Sequence, residues 1–103
     1  MLKLTEVVTE SGVYNSEKGA CEATYSLRSV YVNPDYIVSM TDNLKFNSMH
    51  DREPVINGLI SEAKFTKLML AAGSGTPKFY DILGAPERHY KDIHSWRSSR
   101  KEL

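Results

Sequence analysis

The sequence predicts an α+β fold: a small antiparallel sheet of about five strands, curled or partly closed into a barrel, with one C-terminal helix. Three observations predict it. First, β-branched and aromatic residues flank a proline turn in Ser29-Val30-Tyr31-Val32-Asn33-Pro34-Asp35-Tyr36-Ile37-Val38-Ser39-Met40, the pattern of two extended segments meeting at a corner or hairpin. Second, Gly73-Ser74-Gly75-Thr76-Pro77 separates two further strand-like runs, as a hairpin loop does. Third, Tyr90, Ile93 and Trp96 recur at spacing three behind Pro86, which reads as one apolar stripe on a helix.

Taken in order, Leu2-Lys3-Leu4-Thr5-Glu6 alternates apolar and polar and continues into Val7-Val8, a first strand suited to a sheet edge. Ser11-Gly12 and Asn15-Ser16-Glu17-Lys18-Gly19 read as a long connection, within which Val13-Tyr14 can form a short strand. A second strand begins near Ala23-Thr24-Tyr25 and reaches Val32. Asn33, Pro34 and Asp35 then suit positions i, i+1 and i+2 of a type I turn. A third strand follows from Tyr36 to Met40 or Thr41. The consecutive apolar residues on both sides of the turn suit strands covered on both faces.

Residues 42–63 are heavily punctuated, and Pro54 and Gly58 exclude a long helix. Val55-Ile56 and Leu59-Ile60 form a short strand or dock as a loop, and a loop this long is often functional. Residues 64–72 combine helix-forming Leu, Met, Ala and Lys, but the following loop and Lys78-Phe79-Tyr80-Asp81-Ile82-Leu83 favour a strand in a hairpin. The helix starts at Pro86 with Glu87 near its positive end and runs about 11–13 residues. Ser98-Ser99-Arg100-Lys101 then reads as a frayed tail, so residues 1–97 form one domain and 98–103 a polar tail. The expected core is Leu4, Val30, Val32, Ile37, Leu68, Leu70, Phe79, Ile82, Tyr90 and Ile93, with Tyr31 buried beside it.

A chain of 103 residues supports one core. Its 41% apolar and 25% charged residues mark an ordinary globular sequence rather than a disordered one. The longest apolar run, Leu68-Met69-Leu70-Ala71-Ala72, is far too short to cross a bilayer, and Met1-Leu2-Lys3-Leu4-Thr5-Glu6 does not read as a signal peptide. Cys21 is the single cysteine, which fits a cytoplasmic location. Formal net charge is zero, against the basic excess of general phosphate binders. The charge is nonetheless divided, with Glu6, Glu10, Glu17 and Glu22 early and Arg88, Lys91, Arg97, Arg100 and Lys101 late.

No cofactor, metal-ligand set or catalytic residue is read from the sequence. His89 and His94 are five apart, where a helical metal pair needs three or four. Glu22 beside Cys21 raises the thiol pKa rather than activating it. The loop before Lys78 lacks phosphate-loop spacing, and Pro77 removes a donor.

Leu2-Lys3-Leu4-Thr5, Val30-Tyr31-Val32-Asn33-Pro34-Asp35-Tyr36-Ile37, Thr66-Lys67-Leu68 and Phe79-Tyr80-Asp81-Ile82 together resemble the FlbD/SwrD-like family of small flagellar and swarming-motility proteins. The resemblance implies a compact β-structure followed by one helix, and no catalytic residues. The chain departs from that pattern at residues 9–24, 42–63 and 73–77 and in its C-terminal tail. Compact insert-bearing proteins of this kind also occur among accessory proteins of tailed phages.

The expected function is therefore a non-enzymatic regulatory or accessory module that binds another protein through Tyr14, Val55, Ile56, Leu59 and Trp96. Its rival is nucleic-acid binding through Arg88, Lys91, Arg97, Arg100 and Lys101. A weaker rival is a small hydrolase or nuclease using His50, His89 or His94. No membrane is expected as a partner, and a second copy of the chain stands as a further alternative partner.

Overall fold

The chain runs through β1 (Leu2–Asn15), β2 (Ala20–Val32), a 3-10 turn (Pro34–Tyr36), β3 (Ile37–Asp42), α1 (Leu44–Arg52), β4 (Phe65–Leu70), β5 (Lys78–Leu83) and α2 (Pro86–Lys101). This computed structural model describes the backbone of residues 1–15, 20–71 and 75–101 and the side chains of 1–10, 24–71 and 75–98. The α+β class, the five antiparallel strands and the C-terminal helix are those the sequence predicts. Two features differ: the sheet is open, and α1 occupies the start of the punctuated segment.

Strand order is β2-β1-β5-β4-β3, so β2 and β3 are the two edges. Yet residues 33–36 alone connect them. In a flat sheet, four strand spacings would separate the edges by about 19 Å. The link is folded into a turn, with Tyr36 N–H donating to Asn33 O at 3.0 Å, and such a turn holds its ends within about 7 Å. The sheet must therefore curl until its edges approach at that end. Asn33 caps the turn by accepting from Asp35 N–H at 3.0 Å, and Pro34 is buried. The stretch is a strand corner rather than a hairpin, because β2 and β3 do not pair.

Register assigns the two faces. Cross-strand partners share a face and neighbours along a strand alternate. Leu68 lies opposite Met40 and Tyr80, and Ile82 lies opposite Glu6 and Thr66. One face thus carries Leu4, Val32, Leu68 and Ile82, with Leu2, Val30, Ile37, Met40, Leu70 and Tyr80 around them. The other face carries Val7 and Phe65, which pack with Phe46 of α1 and with Tyr25 and Leu83. One sheet supports two cores, one on each face. That is why Phe65-Thr66 and Ile82-Leu83 break strict alternation.

α1 forms where its neighbours satisfy its N-terminus. Asn43 Oδ1 accepts from Phe46 N–H at 3.2 Å, as an N-cap does. Asn43 N–H donates to Phe65 O at 3.0 Å, and Asn47 Oδ1 accepts from Phe65 N–H at 2.8 Å. Phe46 and His50, four apart, are buried, and Tyr25 meets Phe46 edge-on with ring centroids 5.3 Å apart. Residues beyond α1 are held back onto the sheet by His50. Its Nε2 donates to Ile60 O at 2.7 Å, while its Nδ1 accepts from Val55 N–H at 3.2 Å.

Several expected positions are corrected. Tyr31 is 62% exposed, because the period of two that points Val30 and Val32 into the first core turns it to the opposite face, across from exposed Lys3. Phe79 is exposed on that same face, its ring under Lys67 Nζ at 5.0 Å. Tyr90 is exposed because α2 turns His89 and Ile93 inward instead. β1 continues to Asn15 in a hairpin with β2, and Ser11-Gly12 falls at a register shift rather than a turn. α2 continues to Lys101, since serines cost a helix only tenths of a kcal/mol and neither glycine nor proline stops it.

Phe65 and Tyr31 therefore separate buried from exposed aromatics. Phe65→Ala should lower stability by about 3–5 kcal/mol, whereas Tyr31→Ala should leave the urea midpoint within about 0.5 kcal/mol of wild type. Equal losses in the two variants would contradict the face assignment.

Candidate functional site

Of the residues expected to contact a protein, Val55, Ile56 and Leu59 are half-buried against Val7, Phe46 and Phe65. Ile60 alone of that group turns outward. A tight turn, Leu59 N–H to Ile56 O at 3.3 Å, is made possible by Gly58 at φ 97°. Trp96 is half-buried on α2. The Tyr14 backbone pairs with Cys21 in the β1–β2 hairpin, and its side chain lies outside the described residues. The four whose side chains are described divide between the second core and α2.

The expected nucleic-acid residues all lie on α2, but not on one stripe. Arg88 and Arg97 are about two and a half helical turns apart and so face opposite sides. Lys91 lies on the Arg88 side, with Glu87 and Asp92 interspersed. The side chains of Arg100 and Lys101 lie outside the described residues.

The arrangement that does form a site is a groove of ≈ 280 Å³ lined by Pro34, Ile37, Val38, Ser39, Met40, Tyr90, Ile93, His94 and Arg97. Four consecutive residues of β3 line it. The register shift between Ile37 and Ser39 breaks the strand's alternation at Val38, so four consecutive residues reach one groove beside the outer edge of the strand. Its other wall is a single helix stripe, with Tyr90, Ile93, His94 and Arg97 at i, i+3, i+4 and i+7. The volume lies below the roughly 300–1,000 Å³ of an enclosing small-molecule pocket. Beside the groove, Tyr36, Val38 and Tyr90 are 60%, 58% and 67% exposed. Among the described strands β3 pairs with β4 alone, leaving its outer backbone edge without a strand. Sequence reasoning did not single out Tyr36 and Val38 as exposed apolar residues. The available signal was their surplus: apolar residues on both parities of a strand that one core cannot bury.

The helix wall is fixed at its N-terminus. Gly84 has φ 111°, and a Cβ there would sit 2.8 Å from His89 Nε2. That nitrogen donates to Leu83 O at 3.0 Å, while the buried Nδ1 has no hydrogen-bond partner among the described residues. Thr66 Oγ1 donates to Gly84 O at 2.7 Å, tying the same junction to β4. Burial holds His89 below its ordinary pKa of 6.5. The bond to Leu83 and the Asp92 carboxylate oppose that shift, and Arg88 adds to it.

His50 and His89 thus both hold the fold, and His94 stands apart on the groove. Among the described residues no group of three or more His, Cys, Asp or Glu gathers to hold a metal ion, and no helix is long and apolar enough to cross a membrane. No protein-family model, curated protein or solved structure matches the chain.

Replacing Ile56 and Leu59 together by serine should lower stability by about 2–4 kcal/mol, since both changes strip apolar contact from the second core. An unchanged thermal midpoint would free that segment for a binding role. The pH dependence follows from His89. An unfolded chain takes up its proton near pH 6.5, whereas the folded chain resists to lower pH, so the unfolded state binds more protons in that window. Stability from this group is complete above about 6.5 and falls as pH drops towards the lowered folded value. His89→Gln should flatten this part of the profile in urea melts, and identical slopes for variant and wild type would rule the effect out.

Proposed function

We propose that this chain is a non-catalytic accessory module that recognises a protein partner by adding an extended segment of that partner to the edge of β3, beside α2. The observation that carries the reading is the groove along an unpaired strand edge. In strand addition, main-chain hydrogen bonds give affinity and alternate side-chain contacts give selectivity. β3 offers six residues, Ile37–Asp42, an edge of about 20 Å.

The character of the edge supports this. Free edges are usually blunted by lysine, proline or a covering element. β3 reads Ile-Val-Ser-Met-Thr-Asp, with neither lysine nor proline and Val38 largely exposed. Its irregular pairing with β4 between Ile37 and Ser39 is confined to the first residues.

Val38→Lys places a charge on the edge without touching either core. It should leave thermal stability within about 0.5 kcal/mol of wild type and abolish recovery of a stoichiometric, nuclease-resistant partner from host lysate. Undiminished recovery would move the contact elsewhere. Recovery that disappears on nuclease treatment, with a gel shift that weakens steeply as salt rises, would overturn the reading in favour of nucleic acid.

A further inference from the structure

We propose that the segment received by this groove is acidic: a single extended peptide whose carboxylates meet Arg97 and His94 while its apolar side chains settle against Val38 and Tyr90. This rests on the strand-addition reading and adds the chemistry of the ligand. The groove's lining contains one formal positive charge, Arg97, beside the imidazole of His94, and no carboxylate. Asp35 and Asp42 bracket β3 in sequence, and Glu87 and Asp92 lie on α2, but none of the four lines the groove. Arg97 is exposed and makes no ion pair or hydrogen bond among the described residues. The chain as a whole carries 13 basic and 13 acidic residues, so the positive character here is local rather than a property of the whole surface. A local field of one sign selects a partner of the other and sets register along an otherwise sequence-tolerant edge.

The same geometry excludes a second copy as occupant. With α2 as its other wall, the groove admits one segment. The edge strand of another sheet would bring its neighbouring strand, about 4.8 Å away, against the helix. Pairing β3 with β3 about a two-fold axis would also bring two Arg97 side chains towards one another, where like charges repel. An isolated acidic strand meets neither obstacle.

The test uses blocked synthetic peptides of about seven residues, long enough to span β3, in which valine alternates with aspartate, asparagine or lysine. Amide chemical shifts of residues 37–42 report whether and how tightly each docks. The aspartate peptide should perturb these amides and bind about 3–10-fold more tightly than the asparagine peptide, with the lysine peptide weakest. Its advantage should shrink as salt rises. Arg97→Gln should remove most of the preference, and Arg97→Glu should turn it towards lysine, with the remaining amide spectrum unchanged in both. If the asparagine peptide docks as tightly as the aspartate one, or Arg97→Glu leaves the ranking intact, the acidic assignment is overturned while strand addition stands. If no peptide moves the β3 amides, strand addition itself fails and this assignment fails with it.

Discussion

Asn43 engages each of its polar groups with a different neighbour. Its backbone N–H reaches Phe65 O, and its backbone O accepts from Asn47 N–H. Its Oδ1 caps α1 through Phe46 N–H, and its Nδ2 donates to Asp81 Oδ1 at 2.7 Å. The residue is buried, so each of these groups would otherwise lie desolvated and unpaired. One residue thereby ends β3, starts α1 and joins both to β4 and β5. Asn47 completes the junction by taking the other backbone group of Phe65. α1 thus occupies a place that a continued β3 would have filled, and the second core forms because α1 is held there. Removing a cap alone costs about 1 kcal/mol, but here the same atoms also fix the floor of a hydrophobic cluster.

The curl of the sheet and the existence of the groove have a common origin. A four-residue corner between the two edge strands cannot close on a flat sheet, so the first core is wrapped rather than layered. Wrapping leaves β3 as an edge with α2 standing beside it. The corner's buried Pro34 then becomes part of the groove's lining. The groove is therefore a consequence of the turn that shapes the sheet.

What was legible in the sequence rests on local rules. Pro34 between β-branched runs gives the corner, the Gly73–Pro77 stretch gives the β4–β5 hairpin, and Pro86 gives the start of α2, each through backbone restrictions of the residues themselves. α1 was not legible, because Asn43 and Asn47 favour caps and turns over helix interiors when their long-range partners are unknown. Phe65 lies about twenty residues away, and periodicity carries no record of it. The groove was hidden for a related reason. Tyr36-Ile37-Val38 reads as a strand covered on both faces, and nothing local says that β3 sits at an edge. Val55, Ile56 and Leu59 stood out correctly as apolar residues in an irregular segment, but the His50 bonds that return them to the second core are non-local.

The groove is also pre-formed, which decides where the entropic cost of binding falls. β3 is held along its inner edge by β4, at its start by Ala71 N–H donating to Tyr36 O at 2.8 Å, and at its end by Asn43. α2 is held at its N-terminal end by Gly84 and His89, whose near-contact leaves no room for a larger residue at the junction. In the proposed docking neither wall would need ordering, so the ordering cost would rest on the arriving segment. Because the helix wall is set from that junction, a shift there would be carried along α2 to Tyr90, His94 and Arg97. The histidine that fixes the helix and the α2 residues that line the groove are thus mechanically joined through one helix.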